Sequence, residues 1–324
     1  MRAKGCVVVV TGASSGIGRA TAAAFARHGC SVVLAARRGA ALEQAAHECE
    51  ARGGRALAVP TDVSDATAVH DMARKAVDTF GRIDVWVNCA ALSLFSPFEE
   101  APLDDFRQVL DVNVMGYVHG MGAVLPVMRE QGRGVVVNVS SVVGVVPQPY
   151  THAYGMSKSA IRSLTTSVRQ ELWLDGVRGI DVCSVLPATI DTPLFAQAAN
   201  YTGRQVVPMP PVYAPERVAS AIVRLVRRPR REVVVGPMGR SVVLLHRIAP
   251  GITEKLMAFQ VERAHLAHTR RAEPTPGNLH HPTEGTGAAH GGWTKPRHAT
   301  TRTAVAVGLA TAVAVSMRRR RSGI

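Results

Sequence analysis

Residues 11–18, reading TGASSGIG, constrain this chain more than any other stretch. They stand between the apolar run 7–10 and a helical pattern over 19–28. A glycine-rich turn between a strand and a helix is the context in which glycine spacing points to a phosphate site. Gly12 permits the tight turn, and Gly16 and Gly18 remove side chains where backbone must approach a pyrophosphate. The helix start then offers unpaired N–H groups and a positive dipole end. The same glycines could serve backbone geometry alone, so the rest of the chain has to decide.

The rest is an alternation. Short β-branched runs at 7–10, 31–36, 56–59, 83–88, 134–140, 180–186 and 232–235 are separated by helical patterns at 19–28, 41–52, 64–80, 103–128 and 153–173. Ser64 or Asp65 caps the third helix, and Pro215 with Glu216 opens the last one. Strands joined by helical crossovers must be parallel. The expectation is an α/β fold: a single Rossmann-type, doubly wound parallel sheet of seven strands with helices on both faces. A loop covers 187–213. This domain spans 1–238, followed by a helical extension over 239–271 that Pro250 and Gly251 interrupt. Residues 272–302, rich in Pro, Gly, His and Thr, read as a linker or surface wrap, and 303–324 as a short apolar segment with an arginine cluster. With repeated βαβ units behind it, the turn at 12–18 is better read as a phosphate site.

Composition supports a folded enzyme, with 47% apolar and 19% charged residues. The net charge of +14 is uneven: from Ser241 onward 12 basic face 4 acidic residues, leaving +6 for the first 240. Without a basic run interleaved with aromatics, nucleic-acid binding is not expected. Cys6, Cys30, Cys49, Cys89 and Cys183 are odd in number and lack any CxxC, so they read as reduced core thiols. His265, His268, His280, His281, His290 and His298 have no companion carboxylate pattern and read as solvated loop histidines, so no metal is expected. Thr11 and Gly12 interrupt the first apolar run too early for a signal peptide, which points to a cytoplasmic protein.

The Gly-x-x-x-Gly-x-Gly spacing resembles the short-chain dehydrogenase/reductase superfamily, over roughly residues 5–236. Its other landmarks recur in order: Asp62 and Val63, Asn88 with Cys89, Asn113, Ser141, Tyr154-x-x-x-Lys158, and the stretch 187–192 that holds Pro187, Ile190 and Thr192. The resemblance implies hydride transfer between a nicotinamide cofactor and a carbonyl or secondary alcohol. It places Gly12, Ser14, Ser15, Gly16, Ile17, Gly18, Asp62, Val63, Asn88, Pro187, Ile190 and Thr192 against the cofactor, together with Tyr154 and Lys158. The residue matching Tyr154 is the acid/base, that matching Lys158 depresses its pKa and holds the nicotinamide ribose, and that matching Ser141 orients the substrate oxygen. Ser140 is the fallback for this last role. Asn113 matches the residue that links the lysine through water to a proton relay, although a helix-interior Asn can also simply bond nearby backbone. The family commonly assembles into homo-oligomers.

Elementary chemistry agrees with the pairing. Tyr154 and Lys158 are four apart, so they share a helix face. Bringing a tyrosine from ~10 to near neutrality needs roughly 4 kcal/mol of preferential phenolate stabilisation, part of which an adjacent ammonium supplies. At the end of the second strand, where an acid would hold the ribose 2′-hydroxyl of NAD, stands Ala36, followed by Arg37 and Arg38. An arginine fork suits a 2′-phosphate, favouring NADP(H) over NAD(H), against the alternative of a solvated basic turn. Two stretches depart from the family pattern while keeping small residues: Asn88-Cys89-Ala90-Ala91 stands where Asn-Asn-Ala-Gly is more frequent, and Pro187-Ala188 where Pro-Gly is. They put the local backbone path against the cofactor in doubt.

Leu92, Leu94, Phe95, Phe98, Val143, Val145, Val146 and Phe195 follow strands, where an α/β site opens, and point to an apolar small-molecule substrate. The uncharged run 303–317 before Arg318 is shorter than the ~20 residues a span needs, which leaves peripheral contact with an anionic membrane as the tail's expected alternative to plain disorder or self-association. The competing functions are a catalytically silent dinucleotide sensor and a membrane-associated scaffold. The full set Asn113, Ser141, Tyr154 and Lys158 argues against the sensor.

Overall fold

The computed structural model describes residues 4–283 and 287–294. In its first half β1 (Val7–Thr11), α1 (Gly16–Ala26), β2 (Ser31–Ala36), α2 (Gly39–Glu50), β3 (Arg55–Pro60), α3 (Ala66–Phe80) and β4 (Val85–Asn88) succeed one another. A short β5 (Leu94–Phe95) precedes α4 (Leu103–Leu110), α5 (Gly116–Gln131), β6 (Gly134–Val139) and α6 (His152–Leu174). Then come β7 (Ile180–Pro187), α7 (Leu194–Gln197), β8 (Ala199–Asn200), β9 (Arg204–Val206), α8 (Pro215–Arg227) and β10 (Glu232–Val235). The described chain continues with α9 (Pro237–Ile248), α10 (Pro250–Gln260) and β11 (Leu266–Arg271).

Seven strands form one sheet in the order β10-β7-β6-β4-β1-β2-β3, every neighbouring pair parallel. Period-2 alternation decides which layer each side chain enters. Val8 and Val10 of β1 join Phe25, Leu42 and Ile222 on the face covered by α1, α2 and α8. Val9 joins Met72, Trp86 and Val124 on the opposite face, under α3 and α5. Because both faces are covered, β1 is buried along its whole length, which is why it reads as an unbroken apolar run. Strand order reverses between β1 and β4, and a cleft opens at the carboxyl ends there. Asp65, not Ser64, caps α3, accepting from the amides of Thr67 and Ala68 at 2.8 and 3.2 Å.

The structure departs from the sequence reading in four places. The helix expected over 103–128 is interrupted by a π-helical turn, Asp111–Met115. No Gly or Pro lies within the turn itself; the Asn113 side-chain amide is instead captured by the backbone of Leu92, which accommodates one extra residue in the turn. The expected loop 187–213 contains α7, β8 and β9, with β8 pairing in parallel with β5. The helical extension ends in a second π turn, Val261–His265, and its last six residues form β11, antiparallel to β9. A free strand edge at β9 offers those residues a ladder that a helix end does not.

The fourth concerns the histidines. His265 is buried and stacks edge-on against Phe95 and Phe195. His280 pairs with Asp105 at 2.7 Å, and His290 with Glu216 at 2.8 Å. The last two are held because residues 272–283 and 287–294 lie along the protein as a strap: the Asn200 amide donates to Thr275 O at 2.8 Å and the Gly16 amide to Ala288 O at 2.8 Å. His298 and the apolar segment 303–317 lie outside the described residues. Among the described residues no helix is long and apolar enough to cross a membrane, and no cluster of three metal-ligating side chains occurs.

Candidate active site

The glycine turn leads from β1 into α1 at the centre of the cleft. Gly12 has φ +68°, and a Cβ there would stand 2.8 Å from Ala90 Cα; a Cβ on Gly18 would stand 2.2 Å from Gly12 O. Both positions therefore admit only glycine, and the turn lies flat against the start of the helix. Thr11 fastens the opposite wall, its hydroxyl accepting from the amides of Cys89 and Ala90 at 3.0 and 3.2 Å. Among the described residues Tyr150 is the only non-glycine with positive φ. Ala90, Ala91 and Ala188 thus follow backbone paths that suit an L-residue, which removes the doubt raised by the missing glycines.

Gly12, Ser14, Ser15, Gly16, Ile17, Gly18, Arg37, Arg38, Asp62, Val63, Ser141, Tyr154, Lys158, Pro187, Ile190 and Thr192 all line one cleft. Asn88 does not. Its side chain turns into the core, accepting from Trp86 Nε1 at 2.7 Å and donating to Asn138 Oδ1 at 2.8 Å. Asn113 is also set back from the cleft, wholly buried. Asp62 is oriented by Ser64, whose hydroxyl donates to its carboxylate at 2.6 Å. Arg37 donates to the carbonyls of Asn278, Leu279 and His280 at 2.6, 2.9 and 3.2 Å. Arg38 reaches Thr283 O at 3.3 Å and Ser14 Oγ at 3.4 Å.

At the floor, Tyr154 and Lys158 project from the same face of α6, and the Ser141 hydroxyl, just past the end of β6, lies beside the Tyr154 phenol and accepts from the Val143 amide at 3.1 Å. Ser140 is spent elsewhere: its hydroxyl donates to Lys158 O at 2.7 Å, tying β6 to α6. Lys158 Nζ donates to Val139 O at 3.0 Å and to the Tyr117 hydroxyl at 3.4 Å. It sits 5.4 Å from the centre of the Tyr154 ring. Burial pushes the Tyr154 phenol up to about 12, against the lowering effect of the neighbouring Ser141 hydroxyl. Burial also pushes Lys158 down to about 8. Desolvation therefore outweighs the expected downward pull of the ammonium on the phenol: both groups shift toward their neutral forms, although an amine at about 8 remains mostly ammonium at neutral pH. Asn113 donates to Ser157 Oγ at 3.0 Å, and that hydroxyl donates to Tyr154 O at 2.7 Å, so Asn113 bears on the site through the backbone of α6.

The family model described as short chain dehydrogenase matches residues 6–202. An uncharacterized oxidoreductase of Bacillus subtilis, YxnA, is 35% identical over 255 residues, 78% of this chain and 71% of the relative. A second uncharacterized oxidoreductase, from Staphylococcus haemolyticus, is 32% identical, covering 72% of this chain and 98% of the relative. This chain belongs to the short-chain dehydrogenase/reductase family. Among solved structures, a short-chain dehydrogenase/reductase from Burkholderia phymatum, in complex with NAD, superposes with a TM-score of 0.72 at 27% identity, over 78% of this chain and 97% of that one. An alcohol dehydrogenase from the archaeon Thermococcus sibiricus, complexed with 5-hydroxy-NADP, gives 0.63 at 28% identity over 72% and 96%.

In this short-chain dehydrogenase/reductase the far end of the cleft is built partly by residues the sequence reading missed. Leu92, Phe95, Val143 and Phe195 line it as expected, but so do Met209, Met238, Val242, Met257 and His265. Leu94 and Val146 are core residues, and Phe98 is exposed, stacking edge-on against His152. Cys89, expected as a core thiol, faces the cleft; burial pushes its thiol up to about 12, partly offset by Lys158. The other four cysteines are buried thiols. Tyr117 also escaped notice, because four residues past Asn113 nothing marks a tyrosine as a lysine's neighbour until the π turn fixes the register of α5.

Proposed function

We propose that this oxidoreductase reduces the carbonyl of an apolar small molecule, or oxidises the matching secondary alcohol, with NADP(H) as cofactor. The observation that carries the reading is the convergence of Ser141, Tyr154 and Lys158 at the floor of a cleft that the glycine turn also lines. The turn fits a dinucleotide: glycine at 12 and 18 lets its backbone pack flat against the protein, so that the N-terminus of α1 opens directly onto the cleft. The residues available to hold one are Ser14 to Gly18 at the phosphates, Asp62 and Val63 at the adenine side, and Thr192 opposite Gly16. Arg37 and Arg38, with Ala36 where a carboxylate would repel it, favour a 2′-phosphate. That neighbours at 27% and 28% identity were solved with NAD and 5-hydroxy-NADP supports the dinucleotide and leaves the preference to the arginines.

A bound nicotinamide supplies the hydride in reduction and accepts it in oxidation. Ser141 donates to the carbonyl oxygen and fixes its position as charge develops on it. Tyr154 delivers the proton to that oxygen; with its phenol pushed up to about 12 it holds the proton throughout the neutral range, as a general acid must. Lys158, 5.4 Å from the centre of the phenol ring, offsets the charge the departing proton leaves. Val139 O and the Tyr117 hydroxyl keep it in place. Phe95, Phe195, Met209, Val242 and Met257 exclude water from the substrate end. Exposed Met115, Val118, Trp173 and Leu174 on the α5 and α6 side support a homo-oligomer.

Tyr154→Phe tests the assignment. Turnover of NADPH against a panel of ketones, quinones, aldehydes and steroids should fall by at least about 100-fold, while NADPH binding by fluorescence titration stays within a small factor of wild type. Retained turnover would overturn the acid/base role.

A further inference from the structure

The strap meets the cleft in an unusual way: it offers acceptors to the donors that an anionic cofactor needs. Three of its carbonyls, those of Asn278, Leu279 and His280, take the Arg37 guanidinium, and Thr283 O takes Arg38. Gly287 O accepts from Arg19 Nη1 at 2.8 Å, and Ala288 O from the Gly16 amide, the first of α1, at 2.8 Å. Six carbonyl oxygens thus crowd the phosphate end. A strap that clamped a bound dinucleotide would turn donors toward its phosphates; carbonyl dipoles repel them.

We infer that the strap is a built-in competitor of the dinucleotide, occupying the glycine turn and the arginine pair until a phosphate displaces it. The displacement is favourable at each contact, because a phosphate makes charge-assisted bonds where a carbonyl makes neutral-acceptor ones. Opposing it is a separate anchor. Buried Asp191 accepts from the Gly291 and Trp293 amides at 3.0 and 2.9 Å and from the Thr294 hydroxyl at 2.7 Å. Trp293 Nε1 also donates to Thr192 O at 3.2 Å. Dinucleotide binding and strap release are therefore linked equilibria, and the 2′-phosphate gives NADP(H) an extra hold on Arg37 and Arg38 for lifting the strap. That last step rests on the cofactor preference proposed above; competition at Gly16 does not.

Gly287→Ala in the full chain isolates the strap, since Gly287 touches no proposed substrate group. Gly287 has φ +71°, and a Cβ there would stand 2.3 Å from Ser14 O, so the strap must lift off the turn. The expected result is a Kd for NADPH about tenfold lower than in wild type, the factor for a cleft open in about one molecule in ten. In wild type, saturating NADPH should also speed hydrogen exchange at the Gly291 and Trp293 amides. An unchanged or raised Kd in Gly287→Ala, or slower exchange on adding NADPH, would overturn the competition. If NADH lifts the strap as well as NADPH in both proteins, competition stands and the 2′-phosphate preference falls.

Discussion

Asn113→Ala should be far more damaging than the loss of one polar side chain suggests. Asn113 accepts from the Leu92 amide at 2.7 Å and donates to Leu92 O at 2.9 Å and to Ser157 Oγ at 3.0 Å, all out of contact with solvent. Truncation strands both backbone groups of Leu92, and each orphaned buried group costs about 1–3 kcal/mol. Ser157 keeps its bond to Tyr154 O, so it adds little. The sum, about 2–6 kcal/mol, is a large share of the roughly 5–15 kcal/mol that holds a typical domain together. Urea unfolding measures it: the midpoint should fall with an unchanged m-value, and the Leu92 amide should exchange faster. The π turn should also revert to α-helix, rotating Tyr117 away from Lys158. A destabilisation below about 0.5 kcal/mol, the range of an ordinary surface change, would refute this account of the π turn.

Lys158→Met should remove a pH dependence of stability. The folded value of about 8 lies below the ordinary 10.5, so the wild-type lysine contributes fully above 10.5 and that contribution is lost as pH falls through 8. The stability of wild type relative to Lys158→Met should therefore rise between pH 8 and 10.5 by up to about 3 kcal/mol in denaturant titrations, and a flat difference would contradict the buried, neutral-leaning amine. Replacing Arg37 and Arg38 together with Ala should lower the ratio of NADPH to NADH affinity by at least about tenfold, the worth of a lost charge-assisted pair. Equal changes for the two cofactors by fluorescence titration would exclude a 2′-phosphate site at these residues.

The parts legible in the sequence were those whose physics is local. Seven strands could be read because their β-branched runs are bounded by glycine and capping residues, and the turn at 11–18 because glycine spacing encodes backbone approach directly. What escaped depends on partners remote in the chain. Nothing in 111–115 announces a π turn, since its cause is a backbone 21 residues earlier, at Leu92. Leu266–Arg271 forms a strand only because the edge of β9 waits for it. Asn88 carried the family pattern yet faces Trp86 and Asn138, because side-chain direction at a strand end depends on what packs beside it. The donors at Arg37 and Arg38 were visible, but not the strap carbonyls that take them, some 240 residues away.

The tie between Ser140 and Lys158 O, together with the close approach of Gly144 to the backbone at Lys158, makes β6 and α6 one rigid mount for Ser141, Tyr154 and Lys158. The walls at the other end of the cleft come from a different region: α7, the residues near Met209, α9, α10 and His265, stitched by two-stranded ribbons outside the main sheet. On the function proposed here, chemistry and selectivity are thereby housed separately. Substitutions at Phe195, Met209, Val242 or Met257 should then reshape what enters without moving Tyr154, the proposed proton donor. A library confined to those positions is the natural route to retuning this enzyme's repertoire.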